Sequence, residues 1–261
     1  MKTRNSSLKD SKMIAVINKT GNVGKTTIGS CMIAPRLPEL AMVVYIENTN
    51  HIPNQLPPPI GVVYGAHEFG DVESELLKVS KKGKSCLIDF GASDFNTTMD
   101  MLNQYTEVKD CVDVFVIPCT PGKKELIDTQ VTISTLIDLG VSPERIRVLF
   151  NQVMLRDKPN LKRLFFGIFN LQHETMEKYG KSFFASVDAT MFQAEIFKRL
   201  SDLGMSLEEV LADDTNYEKE ILEETDEGKQ YALAKRMSIR GLAVNTDKTF
   251  DMVFDALMEG I

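Results

Sequence analysis

Short runs of consecutive apolar residues alternate with segments of helical periodicity over the first 151 residues. The runs predict buried strands, most of them ending in polar residues: MIAVIN (13–18), AMVVYIE (41–47), IGVVYG (60–65), SCLIDF (85–90), DVFVIP (113–118) and IRVLFN (146–151). Residues 123–139 carry apolar side chains at helical spacing, which predicts an amphipathic helix. Continuous apolar strands separated by helices predict an α/β fold: a doubly wound, mostly parallel sheet with helices on both faces.

The pattern weakens after residue 151. Residues 161–177 are mixed, residues 181–187 predict a last strand, and residues 191–203 predict a helix. Residues 216–237 predict one long, charged helix, and residues 249–258 predict a short amphipathic helix that closes the chain. We therefore expect a flexible tail over residues 1–12, one α/β domain over residues 13–204, and an acidic helical extension over residues 205–261 packed on that domain.

The charge is uneven along the chain. The net charge is −7, and the residues from 205 onward include 14 acidic and 6 basic side chains, so the remainder carries about +1. This balance excludes a globally basic nucleic-acid binder but leaves room for a local basic patch.

The sequence contains no apolar run near the length of a membrane span, and its first residues lack the apolar core of a secretory signal. The four cysteines (Cys31, Cys86, Cys111 and Cys119) have no metal-binding spacing, and three of them lie in apolar segments. Buried free thiols and a cytoplasmic location are the expectation.

The segment NKTGNVGKTTIGS (18–30) follows the first predicted strand and leads into a helix near Lys25. Gly21 and Gly24 allow the backbone to approach phosphate oxygens, and the N–H groups from Gly21 through Gly24, including those of Asn22 and Val23, are predicted to form an anion-binding nest. The helix N-terminus adds its positive dipole end. We expect Lys25 to reach the β- and γ-phosphates, Thr26 to bind Mg²⁺, and Thr27 to donate to the α-phosphate.

Asp89 ends the strand SCLIDF and is followed by Phe90 and Gly91. A carboxylate at this position is suited to hold Mg²⁺ through a water, and the N–H of Gly91 is suited to donate to the γ-phosphate. Taken alone, Asp89 would equally fit an ordinary strand-end aspartate that caps the next turn.

The order of these motifs over residues 13–151 resembles the ParA/MinD-type P-loop ATPases, and the segment MIAVINKTGNVGKTTIGSCMIAPRL looks most like StbB-like plasmid stability proteins. The resemblance implies ATP and Mg²⁺ as ligands, with Lys25, Thr26 and Thr27 on the triphosphate and Asp89 serving Mg²⁺. It also implies that Asn151 reads the adenine edge, for which an amide offers both a donor and an acceptor.

The chain departs from that family at two places. The lysine that crosses the family's dimer interface aligns with Thr20, and Lys19 lies one residue early; Lys19 either takes that role or is a solvated lysine. The family's acidic pair after the second strand is replaced by Glu47-Asn48-Thr49-Asn50. Catalytic roles therefore fall to Lys25, Glu47 and Asp89, and we expect weak, Mg²⁺-dependent hydrolysis because Thr49 cannot act as a base.

Three kinds of macromolecular partner are suggested. Arg156, Lys158, Lys162 and Arg163 could bind duplex DNA non-specifically, although most such charge runs are simply solvated. The acidic stretch over residues 208–227 either docks a small, basic DNA-binding adaptor or is simply a solvated helical face, and the second alternative is favoured. The resemblance implies a homodimer. The last helix has an apolar stripe but an acidic polar face, so packing on the domain is favoured over direct membrane binding.

Two classes of function remain open at this point. One is a slowly hydrolysing, ParA-like ATP switch that acts in plasmid stability, partition or DNA positioning with an adaptor. The alternative is a non-hydrolysing nucleotide-binding regulator or scaffold. A metabolic P-loop enzyme is a weaker third option, since no small-substrate pocket can be read from the sequence.

Overall fold

The computed structural model describes residues 8–46, 61–64, 69–93 and 95–261. It contains a seven-stranded sheet in the order β3-β2-β4-β1-β5-β6-β7, and all of its strand pairs are parallel. The strands are β1 (Met13–Val16), β2 (Leu40–Ile46), β3 (Gly61–Tyr64), β4 (Ser85–Phe90), β5 (Val114–Cys119), β6 (Ile146–Val153) and β7 (Phe184–Phe192). The predicted doubly wound α/β fold is confirmed.

Helices connect the strands and cover the sheet. They are α1 (Lys25–Thr27), α2 (Phe69–Lys81), α3 (Phe95–Gln104), α4 (Thr106–Cys111), α5 (Lys123–Asp138), α6 (Leu161–Leu164), α7 (Phe166–Tyr179), α8 (Ile196–Leu203), α9 (Leu207–Ala212), α10 (Tyr217–Glu223) and α11 (Glu227–Leu257). The short α1 continues directly into a π-helical segment, Ile28–Ile33, and a 3-10 turn, Ala34–Arg36.

The alternation of side chains along the strands divides the core between the two faces of the sheet. A first core cluster on one face includes Ala15, Ile88, Phe115, Leu136 and Phe165. A second core cluster on the other face includes Val16, Met32, Leu87, Leu149 and Phe254. Each face is covered by helices, which is why the central strands are apolar throughout.

The strands as far as β6 lie within about two residues of their predicted bounds, but β7 was predicted too early and too short. It extends over Phe184–Phe192 and includes Ser186, Asp188 and Thr190. The strand lies at the edge of the sheet, beside β6 alone. An edge strand is partly solvated, so its polar positions obscure the apolar run on which the prediction depended.

The C-terminal helices also differ from the prediction. The helix expected over residues 216–237 is broken, because Glu224 accepts from the N–H groups of Thr225 and Asp226, and Asp226 then caps Lys229 N. The resulting α11 has 31 residues, and the short helix expected over residues 249–258 is its final part. Its apolar stripe is buried as predicted: Phe250, Val253, Phe254 and Leu257.

Contacts with the domain begin slightly before the predicted boundary at Met13. Leu8 is buried in the second core cluster, and the N–H of Lys12 donates to Ser85 Oγ at 3.0 Å. The rest of the predicted tail, residues 1–7, lies outside the described residues.

Three of the four cysteines are buried free thiols, and Cys111 is partly exposed. Burial raises the pKa of Cys86 and of Cys119 to about 12, so these thiols stay protonated and unreactive at neutral pH. Across the described ranges, the model has no helix with the length and apolar character needed to cross a membrane.

Candidate functional site

The loop between β1 and α1 forms a cradle at the carboxyl edge of the sheet. Asn22 and Gly24 adopt left-handed backbone angles, with φ of 59° and 85°, and the carbonyl of Gly24 accepts the N–H of Ile28 at 2.9 Å. The loop therefore closes directly onto the first helical turn. Gly21, Asn22, Gly24 and Thr27 line a cavity of about 300 Å³, whereas Val23 is fully buried beneath it.

Lys25 also lines this cavity, and its ammonium group is held at the base of the loop. Nζ donates to the carbonyl of Thr20 at 3.0 Å and to that of Asn18 at 3.4 Å, and the residue is 8% exposed. A cation held in so dry a position favours binding of an anion in the cavity.

Asp89 and Thr26 meet at the same cavity. The Thr26 hydroxyl donates to Asp89 Oδ2 at 2.6 Å, and Asp89 lies opposite Val16 in the parallel ladder of β1 and β4. Strand alternation turns Asp89 toward the face that packs against α1, while Ile88 and Phe90 enter the first core cluster.

The donors at this point fit a magnesium ion. A threonine hydroxyl and a carboxylate are hard oxygen ligands, and Mg²⁺ commonly takes one or two such groups while keeping waters and phosphate oxygens. Within the described residues there is no cluster of three or more His, Cys, Asp or Glu side chains that would form a metal cage. Thr26 and Asp89 are therefore the residues that would hold the ion.

Two further predicted residues have a more complicated outcome. Gly91 lines the cavity, but its N–H donates to the carbonyl of Ile46 at 2.8 Å. The N–H that was expected to face the γ-phosphate is thus engaged in extending the β2–β4 ladder. Glu47, the other predicted acid, lies outside the described residues, as does Thr49.

Asn151 lies beside the loop, and its amide supports the loop. Nδ2 donates to the carbonyl of Val23 at 2.8 Å, and the neighbouring Gln152 donates from Nε2 to the carbonyl of Asn22 at 2.9 Å. Gln152 itself has φ of 55°. Two consecutive amides at the end of β6 therefore fix the tip of the cradle.

A second cavity, of about 600 Å³, adjoins the first and shares Gly24 and Thr27 with it. Asn151 and Gln152 form one side, and the chain after β7 forms the other; the remaining lining includes Ile28, Met191, Gln193, Glu195, Phe197, Lys198 and Phe250. The mixture of apolar surface and convergent polar groups is typical of a site for a flat, hydrogen-bonding ligand.

Asn18 joins the cradle to the opposite face of the sheet, a role the sequence analysis missed. Its Nδ2 donates to the carbonyl of Pro118 and to Thr129 Oγ1 at 2.8 and 2.9 Å, and its Oδ1 accepts the N–H of Thr20. The buried polar group at the end of an apolar strand was the available signal, because such groups are almost always hydrogen-bonded.

Lys19 is directed toward α5. Its N–H donates to Thr132 Oγ1 at 3.1 Å, and Nζ lies 3.8 Å from Asp128 Oδ1, with 43% of the lysine side chain exposed. Lys19 is not among the described residues that line either cavity.

No protein-family model matches the chain, and no curated protein matches it. Solved structures that resemble it include the ATP complex of a variant McdA from Cyanothece (15% identity; 77% of this chain and 90% of the other; TM-score 0.47). Another is a putative plasmid partition protein from Borrelia burgdorferi B31 bound to AMPPNP (13%; 90% and 99%; TM-score 0.48). A third is the MinD cell division protein of Aquifex aeolicus (11%; 90% and 97%; TM-score 0.47).

Gly24→Ala is expected to weaken binding of a polyphosphate in the first cavity at least tenfold. The new Cβ would lie 2.5 Å from Asn151 Nδ2, and alanine at φ of 85° costs about 1–2 kcal/mol. The matched control is Gly83→Ala, where φ is 63° but nothing lies within 4 Å of the new Cβ. Both variants should lose thermal stability from backbone strain, Gly24→Ala more because of its added contact with Asn151, and calorimetric titration should show the affinity loss in Gly24→Ala alone. Wild-type affinity in Gly24→Ala would contradict the cradle.

Proposed function

We propose that the chain is an ATP-binding switch that uses Mg²⁺ and hydrolyses ATP slowly, and that it acts in DNA partition or positioning. The observation that carries the proposal is the convergence of Lys25, Thr26 and Asp89 on one cavity beside a loop of left-handed geometry. A buried ammonium, a hydroxyl–carboxylate pair and a backbone nest together suit a magnesium-bound polyphosphate.

The presence of the second cavity favours a nucleotide over other polyphosphate ligands. It meets the first cavity at Gly24 and Thr27, so a nucleoside can extend from the phosphates toward Asn151. With Asn151 Nδ2 donating to the loop, Oδ1 has further acceptor capacity, which suits the exocyclic amino group of adenine better than the carbonyl of guanine.

A non-hydrolysing nucleotide-binding regulator is the second candidate. The observation favouring it is that, among the described residues, Asp89 is the single carboxylate that lines the first cavity. Asp89 already accepts a hydrogen bond from the Thr26 hydroxyl. A base that orients the attacking water would have to come from Glu47, from a partner, or from a second copy of the chain.

DNA is the partner that the surface chemistry supports best. Arg156, Lys158, Lys162 and Arg163 lie within a 3-10 segment and α6, and all four are exposed. Across the part of the chain that the structure describes, no ion pair joins them to an acidic side chain. Unpaired surface cations of this kind favour non-specific contacts with phosphates. We also propose a homodimer and a DNA-binding adaptor, and both rest on the sequence resemblance.

Steady-state ATP turnover with Mg²⁺, alone and with duplex DNA, tests this function, with Lys25→Ala as the blank. We expect slow turnover above the blank, raised several-fold by DNA. If wild type binds ATP but turns it over no faster than Lys25→Ala, hydrolysis is excluded and the regulator is favoured.

The DNA contribution is tested with Lys162→Ala/Arg163→Ala against Lys81→Ala/Lys82→Ala, which removes two exposed lysines at the end of α2 and in the turn after it. The first pair should weaken DNA binding and lower the slope of log affinity against log salt by about 2, since each lost phosphate contact accounts for about 1. The control pair should match wild type. Equal effects of the two pairs would argue against a DNA contact at α6.

A further inference from the structure

Tyr45 places a phenol at the candidate phosphate cavity, where the strand pattern suggests only core. The residue lies on β2 directly opposite Asp89 of β4 in the parallel ladder. Strand alternation directs its side chain to the same face of the sheet as Asp89, and it packs in the second core cluster with Cys31 and Val43. Its side chain lines the cavity together with Thr26 and Asp89.

The Tyr45 hydroxyl is buried and has no hydrogen-bond partner among the described residues. The residue as a whole is 5% exposed. A buried phenol ordinarily finds a partner for its O–H, because an unsatisfied polar group in a dry environment is costly. The ring packs in the second core cluster, and Tyr45 is one of the residues that line the cavity.

The occupant of that cavity would supply the missing acceptor. Lys25, Thr26 and Asp89 already define the chemistry of the cavity as that of an anionic oxygen ligand with an associated cation. Phosphate oxygens and metal-bound waters both accept hydrogen bonds from a phenol, and bonds to charged acceptors are the stronger kind.

We propose that the Tyr45 hydroxyl is a further binding group for the nucleotide, donating a hydrogen bond to an oxygen of the bound Mg²⁺–phosphate unit. This inference rests on the proposed function, since it requires that the cavity take a nucleotide. The proposed contact comes from Tyr45 within β2, and it does not depend on Glu47, the acidic residue that follows this strand.

Tyr45 acts as a neutral donor and not as a base. Burial raises the pKa of the phenol well above its usual value, and the charge of Asp89 raises that pKa further. In the nucleotide-free protein the hydroxyl is therefore protonated at neutral pH and can act as a donor.

Tyr45→Phe tests the inference because it deletes the hydroxyl and keeps the ring. We expect the affinity for Mg²⁺–ATP to fall roughly 10- to 100-fold, as for loss of one hydrogen bond to a charged acceptor. The melting temperature of the nucleotide-free protein should stay the same or rise, because the deleted group has no partner there. Tyr231→Phe is the matched control: it makes the same change on α11, where Tyr231 is 75% exposed, and should alter neither quantity.

Three titrations identify the acceptor: Mg²⁺–ATP, Mg²⁺–ADP, and ATP with a chelator. A loss with ATP, whether or not Mg²⁺ is present, but not with Mg²⁺–ADP supports the terminal phosphate. A loss for both nucleotides that needs Mg²⁺ supports a metal-bound water, and a loss in all three titrations supports an inner phosphate. The chain contains no tryptophan and six tyrosines, so tyrosine difference absorbance offers a second readout. A ligand-induced change should be smaller in Tyr45→Phe than in wild type.

Unchanged affinity in Tyr45→Phe, with wild type binding normally, would overturn the inference and leave the proposed function intact. A lower melting temperature with unchanged affinity would overturn it in a second way, by showing that the hydroxyl serves the fold. Failure of wild type to bind any of the three ligands would overturn both proposals together.

Discussion

Replacing Lys25 with alanine is expected to lower the affinity for Mg²⁺–ATP at least 100-fold while the protein stays folded. The ammonium group is largely buried at the base of the cradle, with backbone carbonyls of Thr20 and Asn18 among its partners. In such a dry position, truncating one member of a charged pair costs about 3 kcal/mol or more, equivalent to a factor of about 100 or greater in affinity.

The measurement is calorimetric titration at fixed Mg²⁺, with Lys82→Ala as the control. Lys82 is an exposed lysine in the turn after α2, so its removal makes the same change in net charge without touching the cavity. Lys25→Arg separates charge from shape, since guanidinium and ammonium are not interchangeable in a tight phosphate site. Affinity within threefold of wild type in Lys25→Ala would show that the anion lies elsewhere.

The sequence alone predicts that Lys25, Thr26 and Asp89 lie close together. Asp89 lies at the end of an apolar strand, and Lys25 and Thr26 lie at the start of the helix that follows another. Parallel strands bring their carboxyl ends to one edge of the sheet, so polar residues at those ends meet whatever the intervening chain does. Asp89 also follows a simple alternation: its neighbours Ile88 and Phe90 are core residues of one face, which leaves Asp89 on the other.

Tyr45 and Gln152 could not be found in the same way. Tyr45 lies inside an apolar run, where a tyrosine is an ordinary strand residue, and its lack of a partner among the described residues is visible only in three dimensions. Gln152 reaches the carbonyl of Asn22, 130 positions away, from a backbone with positive φ. Neither the contact nor the strained angle leaves a local pattern.

The C-terminal helices show a different limit. The segment before Glu227 is rich in good helix formers, so propensity alone favours one continuous helix. The break depends on side chains that cap backbone N–H groups: Glu224 for Thr225 and Asp226, and Asp226 for Lys229. The free energy gained from capping is similar to that gained by continuing the helix. The packing of α11 against β7 then decides where the helix begins.

The contacts of Arg36 could not be predicted from the sequence either, although its side chain is among the most fully buried in the protein. It follows the π-helical segment and donates to Asp247 and Asp251, which lie 211 and 215 positions later on α11. Its side chain is 0% exposed, its guanidinium also donates to the carbonyl of Met32 at 3.0 Å, and it lies 5.6 Å from the centre of the Phe250 ring. This contact, which we term the Arg36 strut, ties the segment after the nucleotide loop to the C-terminal helix.

The double variant Asp247→Ala/Asp251→Ala is expected to lower the free energy of unfolding by about 3–5 kcal/mol, more than Arg36→Met. Removing both carboxylates leaves a buried cation without its charged partners, and an uncompensated buried charge is the costly case. Arg36→Met removes the charge itself, and the two aspartates, 19% and 39% exposed, can then be solvated; we expect about 1–2 kcal/mol. Urea denaturation measures both, provided the transitions remain two-state.

The decisive result is which variant loses more stability, the double aspartate variant or Arg36→Met. If the Arg36 strut acted only by filling space, the order of the two losses would be reversed. Arg36→Met would then be the more damaging change, since the arginine is the member that fills the core. Glu218→Ala/Glu220→Ala controls for the loss of two negative charges, because both side chains are exposed on α10. Ligand affinity measured well below the melting temperature should differ little among these variants, since none of the three charged residues of the Arg36 strut lines either cavity. A large loss of ATP affinity in a folded Arg36→Met protein would instead mean that the C-terminal helix holds the nucleotide loop in its binding shape.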